Sequence, residues 1–446
     1  MTAVLRSALA DEMQCAARAL AALAEGERLD RALEAAGRTV ALAPASLPVV
    51  RDLAYGASRQ LGLCRALADC LNTRPPSPPV AALQWLALSQ LIDPVRHPAT
   101  IVDQAVRAAQ ADPQTRFAAG FLNATLRSFL RRSAELLERA RRDEQARWNH
   151  PRWWIDRLRA DHPSDWQRIL ELADQQPPFT LRINRRRTDL ASYQAMLQAQ
   201  SMTARVVGES ALIVDPPCPV HRLPGWAEGL VSVQDEGAQR AAHLLDVHDG
   251  QRVLDACSAP GGKSAHLLEL ASIRLTALEL APERLARVRD GLERLGLSAE
   301  LVCGDAARPE GWWDGVRYDR ILVDAPCSAS GIVRRAPDAR WLRRRGDLAT
   351  FARTQRSILE GLWPLLEAGG KLLYATCSVF EAEGRGVVRP FLKDHADALE
   401  RSLPADAESA ARSAPRGPGI QLLPQSSPTR DHDGFFYCLI EKIRTP

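Results

Sequence analysis

The first third of the chain carries apolar residues at three- and four-residue spacing, with no strand-like alternation between them. This spacing is typical of amphipathic helices that bury one face. Prolines interrupt the pattern within residues 75–79 and again at Pro94 and Pro98, where connections between helices are expected. We therefore predict an all-α bundle over residues 1–142.

The pattern changes between residues 143 and 240, where linker helices rich in tryptophan and arginine come first. A strand is then predicted at residues 179–184 and a helix at residues 190–200. Short strands near residues 204–207 and 211–214 follow. The order strand, helix, strand, strand predicts a small α+β module.

Strand and helix patterns alternate from residue 241 to the end of the chain at residue 446. Apolar strands are predicted at residues 252–256, 274–280, 300–302, 319–324 and 371–375. Helices are expected between them, and this alternation predicts an α/β domain with a doubly wound, mostly parallel sheet. Residues 396–433 are polar and rich in proline, which predicts a loop, and an apolar strand at residues 434–440 follows.

Composition narrows the class of protein. Hydrophobic residues make up 46% of the chain and charged residues 25%, as in globular proteins, and no apolar run is long enough to cross a bilayer. The Ala- and Leu-rich N-terminus resembles a targeting peptide, but Asp11, Glu12 and Arg18 interrupt it, which favours a core helix. The nine cysteines are scattered without a Cys-x-x-Cys pair, so we expect reduced thiols, no metal site and a cytoplasmic location.

Positive charge comes almost entirely from arginine, although the net charge is only +4. Two arginine clusters are candidates for contacts with phosphate groups, because the guanidinium group matches phosphate geometry. The first consists of Arg182, Arg185, Arg186 and Arg187, and the second of Arg334, Arg335, Arg340, Arg343, Arg344 and Arg345. A charged loop is the alternative for the first cluster.

The first strand of the α/β region leads into a glycine-containing turn. The turn consists of Cys257, Ser258, Ala259, Pro260, Gly261, Gly262 and Lys263. Glycines at a strand-to-helix turn allow a ligand to approach backbone N–H groups at a helix N-terminus. Gly262-Lys263-Ser264 resembles the end of a P-loop, but Cys257 stands where that motif requires glycine, and the G-x-G-x-x-G fingerprint is absent. Nucleoside triphosphate and dinucleotide ligands are therefore disfavoured.

An acid follows each of the next two strands. Glu279 ends the second strand about twenty residues beyond the turn, where nucleotide-binding α/β folds place an acid on ribose hydroxyls. Asp305 follows the third strand, at a position suited to an adenine edge. An adenosine ligand held without a grip on a pyrophosphate indicates S-adenosylmethionine.

Two cysteines follow strands of the same predicted sheet. Asp324-Ala325-Pro326-Cys327 ends the fourth strand, and Thr376-Cys377-Ser378 ends the fifth. Carbon 5 of a pyrimidine becomes nucleophilic only after a thiolate adds at carbon 6, and a base must later remove the carbon 5 proton. Asp324 is a candidate to donate to or hold the ring-nitrogen side of the pyrimidine. A single cysteine is usually a small buried hydrophobic residue, but two at adjacent strand ends beside a methyl-donor site favour catalysis.

Three motifs carry a resemblance to a known family. They are Asp255-Ala256-Cys257-Ser258-Ala259-Pro260-Gly261-Gly262-Lys263, Asp324-Ala325-Pro326-Cys327-Ser328 and Ala375-Thr376-Cys377-Ser378. In this order they resemble the NOP2/Sun family of RNA 5-methylcytosine methyltransferases. Flanking segments, such as Leu181-Arg182-Ile183-Asn184 and Asp433-Gly434-Phe435-Phe436-Tyr437, extend the resemblance over nearly the whole chain. Two positions depart from it, because Glu279 stands where the family usually has Asp and Ser330 replaces a Thr or Gly.

The resemblance implies a multidomain architecture. It consists of a NusB-like helical RNA-binding domain over residues 1–142, linker helices with an RRM- or ferredoxin-like module over residues 143–240, and a Rossmann-like class I methyltransferase domain over residues 241–446. The implied substrate is 16S ribosomal RNA, unassembled or in an early small subunit. With RNA as the substrate, we expect the two arginine clusters to contact its backbone. We expect a monomer with no membrane partner.

The resemblance also implies a reaction, in which a methyl group passes from S-adenosylmethionine to carbon 5 of cytosine 967 of that RNA. Cys377 is implied as the nucleophile, and Cys327 as the residue that helps to resolve the covalent adduct. The residues implied to line the cofactor site are Cys257, Ser258, Ala259, Pro260, Gly261, Gly262, Lys263, Glu279, Asp305 and Asp324.

Three other functions fit parts of the pattern. In DNA cytosine methylation the Pro-Cys thiol attacks, which leaves Cys377 without a role. Methylation of exocyclic amines or of protein glutamine normally uses Asn/Asp-Pro-Pro-Tyr, which Asp324-Ala325-Pro326-Cys327 does not match. A non-enzymatic RNA-binding assembly factor would not need the intact cofactor turn.

Overall fold

A computed structural model describes residues 8–40, 42–403 and 417–444 of the chain. These residues form two compact units. The helical unit consists of the described residues up to 160 together with residues 166–175 and 333–344. The sheet unit consists of residues 161–165 and 176–332 and the described residues from 345 onwards.

The helical unit is an all-α bundle, as the apolar spacing predicts. Its helices in the N-terminal part of the chain are α1 (Leu9–Ala24), α2 (Leu29–Thr39), α3 (Leu47–Arg59), α4 (Leu61–Leu71), α5 (Pro78–Ile92), α6 (Pro98–Ala111), α7 (Ala119–Ala140), α8 (Glu144–Trp148), α9 (Arg152–Asp161) and α10 (Trp166–Ala173). Pro78 and Pro98 each stand in a first helical turn, where the missing N–H costs nothing. Helix α5 is buried nearly all round, with Ala82 and Leu86 completely inaccessible, and therefore forms the centre of the bundle.

A small antiparallel sheet forms the first part of the sheet unit. Its elements are β1 (Thr180–Ile183), α11 (Leu190–Ala199), β2 (Ala204–Val206), β3 (Ala211–Val214) and β4 (Val231–Val233). The strand order is β2-β3-β1-β4, with every pair antiparallel. Leu181, Ile183, Tyr193 and Leu212 are buried between the sheet and its helix. The predicted α+β module is confirmed, with β4 as a strand that the sequence pattern did not show.

The larger sheet carries the predicted β-α alternation. Its strands are β5 (Arg252–Ala256), β6 (Arg274–Glu279), β7 (Glu300–Cys303), β8 (Tyr318–Asp324), β9 (Leu366–Thr376), β10 (Ala398–Arg401), β11 (Ile420–Leu422) and β14 (Phe435–Lys442), and β12 (Gln425–Ser426) and β13 (Asp431–His432) pair separately. The helices in this part of the sequence are α12 (Glu236–Leu245), α13 (Gly262–Leu270), α14 (Pro282–Leu295), α15 (Ala339–Leu342), α16 (Asp347–Leu362) and α17 (Arg385–Asp394).

The strand order of the larger sheet determines where a ligand can bind at its edge. The order is β10-β14-β9-β8-β5-β6-β7, with β5, β6, β7, β8 and β9 parallel and β14 antiparallel to β9. From β5 the chain proceeds to β6 and β7 on one side, and then returns to β8 and β9 on the other. The carboxyl ends of β5 and β8 therefore lie at the topological switch point, where open α/β sheets bind their ligands. The predicted doubly wound, Rossmann-like fold is confirmed.

Residues 333–344 leave the sheet unit between β8 and α16 and form part of the helical unit. The indole Nε1 of Trp341 donates to the Ser58 carbonyl at 2.9 Å, and the Asp338 carboxylate accepts from the Leu29 backbone N–H at 3.1 Å. Strand and helix periodicity could not predict that residues 333–344 belong to the helical unit. The division into domains at residues 142 and 240 remains a prediction.

The predicted loop over residues 396–433 is wrong for residues 398–401, 420–422, 425–426 and 431–432, which are strands, whereas the other described residues in it form neither a helix nor a strand. Strands β10 and β11 lie within it, and both pair with β14 in register, so the partner strand determines their conformation despite the polar composition. Residues 404–416 of that prediction lie outside the described part of the chain. The predicted final strand is confirmed as β14. None of the described helices is long and apolar enough to cross a membrane.

Candidate active site

Neighbouring strands β8 and β9 bring two thiols together. The strands are parallel, and Asp324 at the end of β8 is paired in register with Ala375 near the end of β9. The turns beyond them carry Cys327 and Cys377, which are fifty residues apart in sequence and have their Sγ atoms 3.3 Å apart. Both cysteines are partly exposed. The structure thus places two accessible thiols at the carboxyl edge of the sheet, as the strand pattern predicts.

A carboxylate that the motifs do not include connects the two cysteine-bearing turns. Glu383 follows β9 in a short 3-10 turn and is completely buried. Its Oε2 accepts hydrogen bonds from the hydroxyls of Ser328 at 2.5 Å and Ser378 at 2.6 Å, and its Oε1 accepts from the Ser328 backbone N–H at 2.8 Å. Nothing in the sequence distinguishes Glu383 from nearby Glu381, so periodicity and motif spacing could not identify it.

Ser330 closes the same network of hydroxyl groups. Its Oγ lies 2.8 Å from the Ser378 Oγ and accepts from the Val379 backbone N–H at 2.9 Å. Gly331, the next residue, donates its N–H to the Cys377 carbonyl at 2.9 Å. A Cβ at Gly331 would lie 2.1 Å from the Gly434 carbonyl oxygen, so only glycine fits there. The Ser330 side chain therefore helps to connect the turn after β8 to the turn after β9.

The environment of Cys327 favours its protonated form. A hydrogen bond with Cys377, burial, and the charges of Cys377 and Glu383 all raise the pKa of the Cys327 thiol well above its ordinary value. At neutral pH Cys327 is therefore a neutral S–H group that can donate to the sulfur of Cys377.

The turn after β5 has a backbone conformation that its sequence makes possible. Gly261 adopts φ 98°, and a Cβ there would lie 3.2 Å from the Val288 Cα. Its N–H donates to the Ser258 carbonyl at 2.8 Å, and helix α13 begins at the following residue, Gly262. The turn therefore ends at a helix N-terminus at the switch point, as the glycine spacing predicts.

Asp255 anchors this turn from the end of β5. It is completely buried, and its Oδ2 accepts from the Ser264 hydroxyl at 2.5 Å, which connects the strand to the first turn of α13. Burial raises the pKa of the Asp255 carboxyl to about 7, although the Ser264 hydroxyl opposes the shift. Asp255 was not among the predicted site residues, and its place at the strand end is the signal that could have identified it.

Lys263 connects the turn after β5 to the end of β8. Its Nζ lies 2.5 Å from the Asp324 Oδ2, and the two side chains are 12% and 28% exposed. Burial favours the neutral amine, but the Asp324 carboxylate outweighs it, and the pKa of Lys263 is raised, with the nearby Cys377 contributing in the same direction. Lys263 is therefore an ammonium group at the end of this turn, paired with the carboxylate at the end of β8.

The two predicted acids lie at different depths. Glu279 is 3% exposed; its carboxylate accepts from the backbone N–H groups of Ala259 and Ala281, both at 3.3 Å, and pairs with Arg284. Asp305 is partly exposed and accepts from the Ala307 backbone N–H at 2.9 Å. Leu280, which the sequence reasoning missed, is 67% exposed directly after Glu279. A large apolar side chain left exposed beside an acid at a strand end offers a surface for a flat ring.

The predicted RNA contact at Arg182 is wrong. Arg182 is completely buried, and its guanidinium donates to Glu269, to the Gln234 side chain and to the Gly262 carbonyl. The arginine lies in a strand whose residues are all buried, so its charge is paired internally and cannot reach a phosphate. Arg185, Arg186 and Arg187, which follow that strand, are exposed.

Two arginines of the second cluster are also corrected. Arg334 is 2% exposed, so its side chain does not present a surface to RNA, while its carbonyl accepts from Arg59 at 3.0 Å. Arg340 is completely buried in the helical unit, where it donates to Asp174 and to the Ala173 carbonyl. The remaining members keep access to solvent: Arg335 and Arg343 are partly exposed, and Arg344 and Arg345 are exposed.

The fold and these motifs define a Rossmann-like methyltransferase with a ferredoxin-like module. A family model described as 16S rRNA methyltransferase RsmB/F matches residues 242–441, and a model described as an RsmF/B-like ferredoxin-like domain matches residues 150–221. Proteins named Ribosomal RNA small subunit methyltransferase B from Vibrio cholerae and Pseudomonas putida are 39% and 41% identical to the chain. The matches cover 94% and 96% of this chain and 94% and 98% of those proteins.

The chain belongs to the RsmB/F family of 16S rRNA methyltransferases. The resemblance drawn from the motifs is confirmed, as is S-adenosylmethionine as the cofactor of this methyltransferase. Among solved structures, that of the protein PH0851 has a TM-score of 0.77 at 22% identity and covers 98% of this chain and 99% of its own. A methyltransferase homolog protein from Pyrococcus horikoshii has a TM-score of 0.57 at 24% identity, over 68% of this chain and 98% of its own. These two likenesses show the fold alone.

Proposed function

We propose that this chain methylates carbon 5 of a cytosine in 16S ribosomal RNA through a covalent bond between that cytosine and Cys377. The observation that carries the proposal is the thiol pair, with Sγ atoms 3.3 Å apart at the ends of adjacent parallel strands. The Lys263–Asp324 ion pair joins the turn after β5 to the end of β8, and the charge of Cys377 acts on Lys263. A methyl transfer to nitrogen or oxygen would need neither thiol.

In the proposed reaction the Cys377 thiolate adds to carbon 6 of the cytosine and forms a C–S bond. The electron pair of the carbon 5–carbon 6 double bond moves into the ring, which makes carbon 5 an enamine-like nucleophile. When S-adenosylmethionine is bound, it supplies an electrophilic methyl group to that carbon. Loss of the carbon 5 proton to a base then restores the double bond, the C–S bond breaks, and the sulfur of Cys377 leaves with its electron pair.

Cys327 has the second role in this proposal. It assists resolution of the adduct, either as the base that takes the carbon 5 proton or through a base beside it. Its raised pKa keeps it protonated while Cys377 attacks, so the two thiols do not compete for carbon 6. Cys327 must release its own proton to solvent before it can accept the carbon 5 proton. The formation of the Cys377–carbon 6 bond favours that release, because it removes the Cys377 charge and hydrogen bond that raise the pKa of Cys327. Asp324, held by Lys263, is placed to hold the ring-nitrogen side of the cytosine.

The cofactor site is assigned to the turn after β5 and the acids beyond it. The residues proposed to line it are Cys257, Ser258, Ala259, Pro260, Gly261, Gly262, Lys263, Glu279, Asp305 and Asp324. The side chains fit an adenosine ligand, because the Glu279 carboxylate keeps lone pairs for ribose hydroxyls and exposed Leu280 offers an apolar surface to adenine. Glu279 is fixed to the turn by the Ala259 N–H, so the longer side chain is part of the local structure.

The RNA partner follows from the chemistry of the thiol pair. A cytosine must leave any base stacking to expose carbon 6 to Cys377, so the proposed target, cytosine 967, is accessible in single-stranded or loop RNA. We propose unassembled or early small-subunit RNA as the substrate and a monomer as the active form. Backbone contacts are proposed for the solvent-accessible arginines, which are Arg185, Arg186, Arg187, Arg335, Arg343, Arg344 and Arg345.

A direct assay tests this function. The protein is incubated with methyl-labelled S-adenosylmethionine and unmodified 16S ribosomal RNA, and the RNA is digested to nucleosides. Label in 5-methylcytidine, mapped to a single position, is the expected result. Label in another nucleoside, or RNA binding with no transfer of label, would overturn the proposal. Assembled small subunits in a parallel reaction test the preference for unassembled RNA.

A further inference from the structure

Glu383 is a buried carboxylate that the proposed reaction does not use. It is 0% exposed, and a group that costs so much to bury needs several hydrogen-bond donors. Four donors surround it: the Ser328 N–H and hydroxyl, the Ser378 hydroxyl, and the Gln355 amide, whose Nε2 lies 3.3 Å from Oε1. The backbone N–H of Ser328 can only donate, so Oε1 acts as an acceptor.

The two serines are the residues immediately after the two cysteines. Ser328 follows Cys327 and Ser378 follows Cys377, and both hydroxyls donate to the same oxygen, Oε2, at 2.5 and 2.6 Å. The serine Oγ atoms also lie 3.3 Å from one another. One oxygen atom therefore fixes the position of both cysteine-bearing turns.

We propose that Glu383 is a positioning residue that sets the separation and orientation of the Cys327 and Cys377 thiols. The inference rests on the proposed two-thiol reaction and extends it to a residue outside the motifs. Glu383 contacts neither thiol through a hydrogen bond and acts through Ser328 and Ser378. Gln355 supports it from α16, where its Nε2 also donates to the Pro326 carbonyl at 2.9 Å, one residue before Cys327.

The charge of Glu383 gives it a second effect on the same pair. After the hydrogen bond with Cys377 and burial, the negative charges of Cys377 and Glu383 raise the pKa of Cys327. Glu383 thereby helps to keep Cys327 protonated in the resting enzyme. Two substitutions separate the effects: Glu383→Asp keeps the charge but shortens the reach, and Glu383→Gln keeps the size but removes the charge.

Kinetics on the full chain test the positioning role. We expect Glu383→Asp to lower kcat by about 100-fold, the scale of a small misplacement of reacting groups, with KM for RNA and for S-adenosylmethionine nearly unchanged. The double variant Ser328→Ala with Ser378→Ala should lose a similar factor, and adding Glu383→Asp to it should lose little more, because the three residues form one network. Glu381→Gln is the matched control, since Glu381 lies in the same turn and pairs with Arg385.

Three kinetic outcomes would overturn the positioning role. One is a folded Glu383→Asp enzyme that keeps the wild-type kcat. Another is a loss of activity that only parallels a fall in melting temperature and is matched by Glu381→Gln. The last is a triple variant whose loss in kcat equals the loss of Glu383→Asp multiplied by the loss of Ser328→Ala with Ser378→Ala.

A measurement without RNA distinguishes this inference from the proposed function. Iodoacetamide alkylates a thiolate sulfur with loss of iodide, and mass spectrometry resolves the rates at Cys327 and Cys377 as a function of pH. Glu383→Gln should move the Cys327 profile to lower pH, whereas Glu381→Gln should follow the wild type. An unchanged Cys327 profile would overturn the link between Glu383 and the thiols. If the Cys327 profile of Glu383→Gln shifts but the wild-type protein does not methylate cytosine in 16S ribosomal RNA, the proposed function is refuted and the link between Glu383 and the thiols stays intact.

Discussion

Arg182 and Glu269 form a buried, two-point ion pair between the small antiparallel sheet and helix α13. The Nε and Nη2 atoms of Arg182 donate to the two carboxylate oxygens of Glu269 at 3.0 and 2.7 Å, and the side chains are 0% and 2% exposed. The Nη1 atom donates to the Gly262 carbonyl at 2.7 Å, at the start of α13. The ferredoxin-like module thus helps to hold the helix that follows the cofactor turn.

Arg182→Met should destabilise the protein and weaken cofactor binding together. The substitution leaves the Glu269 carboxylate buried without its partner, which costs about 3–5 kcal/mol of unfolding free energy. It also releases the Gly262 carbonyl, so the start of α13 is less well ordered. Thermal melting and calorimetric titration with S-adenosylmethionine measure the two effects.

The exposed neighbour Arg185 supplies the control for this prediction. Arg185→Met should leave the melting temperature and the cofactor affinity unchanged. The Arg185 side chain is 56% exposed, and its ion pair with Glu209 is long, at 4.0 Å, so the pair contributes little to stability. If Arg182→Met behaves like Arg185→Met, the buried pair does not support the cofactor turn.

Replacing Arg185, Arg186 and Arg187 together should reduce RNA affinity without affecting the fold. All three are exposed. Log affinity falls as log salt concentration rises, and each phosphate contact that is lost should make this negative slope less steep by about one. Filter binding of 16S ribosomal RNA at several salt concentrations measures this slope. An unchanged slope would show that this cluster is a solvated loop and not a phosphate-binding surface.

Asp255 should make the stability of the protein fall as the pH rises from about 4 to about 7. Burial raises its pKa from 3.8 to about 7, so in this range the folded protein binds a proton that the unfolded chain has released. The stabilisation is complete below the unfolded pKa and is lost as the pH passes the folded pKa, with a slope of up to about 1.4 kcal/mol per pH unit. Asp255→Asn should remove this contribution, as measured by melting both proteins across the range.

Ser264→Ala gives this pH prediction an internal check. The Ser264 hydroxyl lowers the pKa of Asp255, so its removal should extend the loss of stability to higher pH. Equal pH dependence in the wild type and in Asp255→Asn would show that Asp255 does not titrate in this window.

The sequence predicted the parts of the fold that local patterns encode. The strands that end at Ala256, Asp324 and Thr376 are apolar runs flanked by turn residues, and the cofactor turn and both cysteines lie where the runs end. Strand β10 was missed, because its polar segment is extended only through pairing with β14. Pairing partners far apart in the chain leave no local signal of this kind.

Buried charge was the other feature that the sequence did not reveal. Arg182 follows Leu181 in an apolar strand, and the sequence pattern groups it with the exposed arginines after that strand, because arginine is seldom buried unless it is paired. Its partner, Glu269, is 87 residues away in sequence. Glu383 is a similar case, since its role depends on two serines that only the folded sheet brings together.

Covalent trapping of RNA tests the assignment of the two thiols most directly. Wild type, Cys327→Ala and Cys377→Ala are each incubated with S-adenosylmethionine and unmodified 16S ribosomal RNA, and denaturing gels separate free protein from protein bound to RNA. We expect Cys327→Ala to accumulate a covalent complex that is not released, and Cys377→Ala to form none and to transfer no methyl group. A covalent complex that forms in Cys377→Ala and requires Cys327 would contradict the account.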